Sequence, residues 1–200
     1  MLDEIKNIFS HEAAAIMNIP VTDAFVKALD AIHHSVHTKG GKIVVSGMGK
    51  AGQIAISIAT TFSSTGTPAV WLHPAEAQHG DLGIICKNDI LLLISNSGKT
   101  REIIELVTLA KALWAQIPII IITANTDSEL AMQSDVCIDT GHPAEVCPLG
   151  LSPTTSTTVM SAIGDALVVQ MMKRIGYRKE DYALRHHGGY LGQKSRGETV

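Results

Sequence analysis

Two hundred residues are enough for one domain with a sizeable core, and 46% of them are apolar while only 4% are aromatic. A formal net charge of −3, from 16 basic and 19 acidic residues, leaves no electrostatic footprint for nucleic acid, and no like-charge run suits a membrane surface. The opening Met1-Leu2-Asp3-Glu4-Ile5-Lys6 has no basic region followed by an apolar run, and no stretch approaches the roughly 20 apolar residues that span a bilayer. Cys86, Cys137 and Cys147 show no C-x-x-C spacing, so the expectation is reduced thiols in a cytoplasmic protein.

Leu2, Ile5, Phe9, Ala13 and Ile16 recur at helical spacing and predict an amphipathic helix that Pro20 ends. Thr22 and Asp23 are placed to cap a second helix through Phe25, Leu29, Ile32 and Val36. Residues 1–38 therefore read as a helical hairpin, packed either on the domain or on a partner subunit. After Gly40-Gly41, strands alternate with helices. Lys42–Ser46 is followed by a helix through Ile54, Ile58 and Phe62, and Ala69–Leu72 is the second strand. Ile90–Ile94 leads into a helix with Ile103, Ile104, Val107, Ala110 and Leu113 on one face. Pro118–Thr123 and Val136–Asp139 complete five strands. Strands apolar throughout are buried on both faces, so the predicted class is α/β, a three-layer α-β-α sandwich around a five-stranded parallel sheet. Met160, Ile163, Leu167, Val168, Met171 and Ile175 mark a long buried helix that Gly176 stops. A short helix near 179–184 then delivers Arg185-His186-His187-Gly188-Gly189. One domain is expected: hairpin 1–38, α/β core 39–176 and C-terminal segment 177–200.

Ligands of open parallel sheets bind beyond the carboxyl ends of the strands. Three dense polar motifs, at 46–52, 73–81 and 95–100, each follow a strand and are expected to share one rim. Capping a helix needs one hydroxyl, yet Ser95-Asn96-Ser97-Gly98-Lys99-Thr100 offers three, which suits a phosphate at a helix N-terminus. The P-loop pattern G-x-x-x-x-G-K-[ST] is not satisfied. Gly47-Met48-Gly49-Lys50-Ala51-Gly52 fits the dinucleotide fingerprint, but Trp71-Leu72-His73 stands where that fingerprint expects an acid. A glycine-lined turn beside a small ligand, with Lys50 facing an anion, is the better reading. Glu102 complements a helix dipole, Glu145 sits in a Pro-flanked loop where a surface ion pair is the plain alternative, and His186 and His187 are compatible with ordinary surface histidines. His79 follows Glu76 by three residues and admits a metal reading, but no compact ligand set accompanies it, and none is expected from His33 and His37 on their helix.

Five segments together resemble the sugar isomerase (SIS) domain, and within it the arabinose 5-phosphate isomerases: GMGKAG (47–52), HPAEAQHGDLG (73–83), SNSGKTREI (95–103), HPAEVCPLGLSPTTSTT (142–158) and YALRHHGGYLG (182–192). The resemblance spans nearly the whole chain. It implies a flavodoxin-like SIS fold, interconversion of D-ribulose 5-phosphate and D-arabinose 5-phosphate through a cis-enediol, and a product that feeds Kdo synthesis for lipopolysaccharide or capsule. It also implies no cofactor and a homotetramer with sites at subunit interfaces. The family's catalytic positions carry over to Lys50, His79, Glu102, Glu145 and His186, and its substrate-binding positions to Ser46, Gly49, Ser95, Asn96, Ser97 and Thr100. Glu145 would be the base, His186 would serve ring opening or hydroxyl proton transfer, Lys50 would stabilise charge, and Glu102 and His79 would position the sugar. Two departures stand out: the chain reaches Val200 without the CBS modules that many of these isomerases carry, so the likeness is to the single-domain form, and the usual His-Pro-Gly-Gly reads His186-His187-Gly188-Gly189. The alternatives are an SIS isomerase of hexulose or heptose phosphates and a non-catalytic sugar-phosphate sensor.

Overall fold

The structure, a computed structural model, describes residues 1–198. Its helices are α1 (Leu2–Met17), α2 (Asp23–Ile32), α3 (Lys50–Ser64), α4 (Arg101–Leu113), α5 (Glu129–Gln133), α6 (Thr155–Arg174), α7 (Lys179–Ala183) and α8 (Gly189–Arg196). The strands β1 (Ile43–Gly47), β2 (Ala69–Trp71), β3 (Ile90–Ile94), β4 (Ile119–Thr123) and β5 (Val136–Asp139) form one parallel sheet in the order β2-β1-β3-β4-β5. That order is the flavodoxin-like one, and it reverses direction between β1 and β3.

Residues of β1, β3 and β4 are buried along their whole length, and they alternate between two cores. Ile43, Val45, Ile90, Leu92, Ile94, Ile120 and Ile122 pack with α2, α3 and α6, whereas Val44, Leu91, Leu93, Ile119 and Ile121 pack with α4 and α5. The period of two places one aliphatic row on each face, and each fully buried side chain contributes about 1.5–3 kcal/mol. This is the expected three-layer sandwich. At the opposite end from the strand termini that carry the motifs, buried Asp89 accepts from Lys42 N (2.9 Å), Lys42 Nζ (2.6 Å) and Cys86 N (2.7 Å), tying the start of β1 to the start of β3.

The N-terminal hairpin forms, with Thr22 accepting from Ala24 N at 3.3 Å as cap of α2. The second helix does not run on regularly to Val36: it passes into a π-helical turn, His33–Thr38, in which Val36 stays buried and His37 Nε2 meets Thr67 Oγ1 at 3.1 Å. α1 packs on α6, but none of its residues is buried, and its apolar stripe includes Leu2 at 72% and Phe9 at 66% exposure. α6 is the long buried helix read from the sequence, ending where Gly176 takes a φ of 61°. α5 has five residues, too few for a periodic signal, and is capped by Ser128. The last two residues of the C-terminal segment lie outside the described residues. Among the described residues, no helix is long and apolar enough to cross a membrane.

Candidate active site

The loops after β1 and β3 diverge at the point where the sheet order reverses, which opens a crevice between them. Gly49 has a φ of 60° at the start of α3, a region that L side chains seldom adopt. Gly47 and Gly52 serve packing instead: a Cβ on Gly52 would lie 2.8 Å from Gly47 O, so only glycine lets α3 start this close to β1. Lys50 is exposed and has no ion-pair partner among the described residues.

Across the crevice, the loop 95–100 is held from behind by its carbonyls. Asn96 O accepts from Ala124 N (3.1 Å) and Thr123 Oγ1 (3.2 Å), Ser97 O from Asn125 Nδ2 (3.2 Å) and Gly98 O from Leu130 N (3.3 Å). With these carbonyls drawn toward β4 and α5, the amides of Ser97, Thr100, Arg101 and Glu102 have no acceptor among the described residues. Four free N–H groups at the positive end of a 13-residue helix suit an anion. The hydroxyls do not all point outward, contrary to what the loop's composition suggested. Ser95 Oγ and Thr100 Oγ1 bond each other at 2.9 Å, and Ser97 Oγ accepts from Lys99 N at 3.2 Å. Sequence reasoning missed the segment 123–130 behind the loop, because two of its donors are backbone amides and the other two, on Thr123 and Asn125, are short polar side chains in no recognisable motif.

A cavity of about 240 Å³ lies in the crevice, lined by Lys50, Ser95, Asn96, Ser97 and Thr100 and, from a third side, by Ser156, Thr157 and Met160. Thr155, Ser156, Thr157 and Thr158 form the first turn of α6, and Ser156 and Thr157 wall the cavity. Glu145 is tied to that turn: its Oε2 accepts from Thr154 N (2.7 Å), Thr154 Oγ1 (2.9 Å) and Ser156 N (3.3 Å). Burial pushes the Glu145 carboxyl up, but the hydrogen bonds from Ser156 and Thr154 together outweigh it and hold the group below its ordinary 4.5. The surface ion pair that was the alternative for Glu145 is not what its carboxylate makes.

The other expected residues divide. Glu102 is half-buried in the first turn of α4, beside the free amides, and makes no hydrogen bond among the described residues. Ser46 is fully buried and donates to Leu72 O at 2.7 Å, so its proton ties β1 to the end of the edge strand rather than facing a ligand. The segment 73–81 does not share the cavity. Because it follows edge strand β2, it lines a separate space of about 580 Å³ with Trp71, His73, Glu76 and Asp81, and His79 is exposed. His186 stacks on Tyr182 at 3.6 Å and its Nδ1 meets Tyr182 O at 3.0 Å, in the connection between α7 and α8 and not on the cavity wall of its own chain. Among the described residues no three His, Cys, Asp or Glu side chains converge as a metal would need.

These features define an α/β domain built to hold an anionic small molecule at the switch point of its sheet. The chain belongs to the SIS domain family, whose model matches residues 37–170. It is 45% identical to arabinose 5-phosphate isomerase KdsD of Yersinia pestis over 183 residues, 92% of this chain and 54% of that one. Among solved structures it resembles a candidate phosphosugar isomerase involved in capsule formation from Bacteroides fragilis, with a TM-score of 0.94 and 63% identity over 95% of this chain and 99% of that one. It also resembles c3406 of E. coli CFT073 in complex with arabinose 5-phosphate, with a TM-score of 0.86 and 34% identity over 92% and 96% of the two chains. The chain spans about half the length of the curated relatives it matches.

Proposed function

We propose that this protein interconverts D-ribulose 5-phosphate and D-arabinose 5-phosphate through a cis-enediol. The observation that carries the reading is the convergence, on one cavity, of the free amides after Ser95, the unpaired ammonium of Lys50 and the helix turn that holds Glu145. The phosphate binds at the N-terminus of α4, with Asn96, Ser97 and Thr100 around it and Gly49, at a φ of 60°, making the turn that opens α3 across the crevice. Lys50 holds the enediolate charge, Glu145 moves the proton between carbons 2 and 1, and Glu102 and His79 position the sugar. The names of the relatives support the substrate: the Yersinia pestis protein is an arabinose 5-phosphate isomerase and the E. coli protein holds arabinose 5-phosphate.

His186 and His79, which do not line this cavity in one chain, act from a neighbouring subunit, and the exposed apolar stripe of α1 supplies contact surface for a homotetramer. The C-terminal segment from 177 onward completes the site of that neighbour. The product enters Kdo synthesis in the cytoplasm, and the capsule branch is favoured by the description of the Bacteroides fragilis relative.

The test offers the purified protein ribulose 5-phosphate, ribulose and six-carbon ketose phosphates and identifies the aldose. Arabinose 5-phosphate is expected; ribose 5-phosphate, or turnover of the six-carbon substrates alone, overturns the assignment, and no turnover at all makes the protein a sensor. Glu145→Gln is expected to abolish deuterium entry at carbon 2 in heavy water while leaving phosphate affinity within about two-fold. Deuterium entry at the wild-type rate would move the base to Glu102.

A further inference from the structure

The bonds around Glu145 exceed what a helix cap requires. Thr154 is the N-cap of α6 and carries a hydroxyl of its own, yet that hydroxyl makes no cap bond and is donated to Glu145 Oε2 instead. With the Thr154 and Ser156 amides on the same oxygen, Oε2 has three donors within 3.3 Å and Oε1 has none at that distance among the described residues, and the Ser156 hydroxyl adds to the pull that lowers the carboxyl. The two oxygens are therefore unequal. Oε2 is fixed to the end of a 20-residue helix whose first turns wall the cavity, and Oε1 keeps its lone pairs.

We infer that Thr154 is a positioning residue for Glu145, clamping Oε2 through its amide and hydroxyl so that Oε1 is the oxygen that exchanges the proton. The inference deepens the reading of Glu145 as the base and rests on it. In that step the carbon 2–H bond of the aldose breaks and the proton goes to Oε1. The freed electron pair forms the carbon 1–carbon 2 double bond, and the carbonyl oxygen takes a proton from the acid partner. Oε1 then returns its proton to carbon 1 while the carbon 2 hydroxyl gives its proton back to the acid partner, which leaves the ketose and both groups in their starting states. An unclamped carboxylate could rotate either oxygen into place, and holding one geometry is what shortens the search.

The titratable groups around this loop are few. His11 on α1 reaches Ala144 O at 3.0 Å, His142 pairs with Ala124 O at 3.0 Å, Cys147 shares the loop and Lys50 on α3 lines the same cavity. The Cys147 thiol, held down to about 7 mainly by the Ser152 and Leu151 amides, titrates well above a carboxylate and leaves the acid limb to carboxyl groups.

The experiment compares wild type, Thr154→Val and Thr154→Ser by the pH profile of kcat/KM and by carbon-13 titration of the Glu145 carboxyl. Valine keeps the volume and removes the hydroxyl; serine keeps the hydroxyl. In Thr154→Val, both the acid limb and the Glu145 titration are expected to move up by about one pH unit, a roughly ten-fold loss of kcat/KM at pH values below both limbs and none near neutrality. Thr154→Ser is expected to stay within about two-fold of wild type. Unchanged titration and limb in Thr154→Val, or an equal loss in both variants, overturns the inference. Should the valine variant not fold, wild type still decides: Glu145 titrating at or above its ordinary 4.5 removes the clamp. A Glu145→Gln enzyme that still exchanged deuterium would defeat the base reading, and the positioning role with it, while a low Glu145 titration in wild type would show the clamp itself intact.

Discussion

A Cβ on Gly98 would run into the hydroxyl of Ser128, and its backbone has a φ of 62°. Both constraints act on the residue whose carbonyl anchors the loop 95–100 to α5, so Gly98→Ala is expected to cost about 1–3 kcal/mol by chemical denaturation. It should also weaken phosphate binding more than Gly176→Ala, which removes a glycine of similar φ far from the cavity. Cys147 makes a second prediction. The Ser152 and Leu151 amides donate to its sulfur at 3.2 and 3.3 Å and hold its thiol down to about 7. Alkylation of Cys147 is thus expected to be half-maximal near pH 7, whereas Cys137, whose thiol is pushed up by burial and by Asp139, should react only at higher pH. Mass mapping of the labelled peptides against pH reads both.

At the scale of elements, the start of α6 is capped by a residue nine positions upstream, so the Glu145 carboxylate closes the loop 145–154 onto the helix turn that walls the cavity. The pH dependence follows in sign. Glu145 is held below 4.5 in the folded protein, so it adds stability above that pH and loses it as the pH falls through the lowered folded value. The difference in Tm between wild type and Glu145→Gln should be constant above about pH 6 and shrink as the pH drops below 4.5. A Tm difference independent of pH would mean that the clamp adds nothing to α6. At the other end of the sheet, Asp89 is 1% exposed and accepts three hydrogen bonds, one from the paired ammonium of Lys42. Asp89→Ala is expected to destabilise the fold by about 3–5 kcal/mol without altering KM, because it strands two amides and a half-buried cation.

For the whole molecule, the unburied apolar face of α1 and the placement of His186 away from the cavity of its own chain point the same way. If the sites are shared, mixing inactive Lys50→Ala and His186→Ala proteins should restore part of the activity, and Phe9→Asp should abolish both the restoration and the larger species in sedimentation. Five strands, their helices and the buried α6 were legible in the sequence because solid aliphatic runs and a period near 3.6 record burial residue by residue. The loop 95–100 was legible as a candidate anion site because hydroxyls and glycine after such a run have few other uses. Burial of the Ser46 hydroxyl, the pairing of Ser95 with Thr100, the exposure of His79 off the cavity wall and the tie between Glu145 and Thr154 were not legible. Each depends on which strand lies at the sheet edge or on which loop meets which helix end, and these are contacts between residues far apart in the chain. Local pattern therefore determined what each segment is and which of its residues are candidates for chemistry. Only the tertiary structure decided which of those residues meet, because strand order and helix packing set distances that residue spacing does not contain.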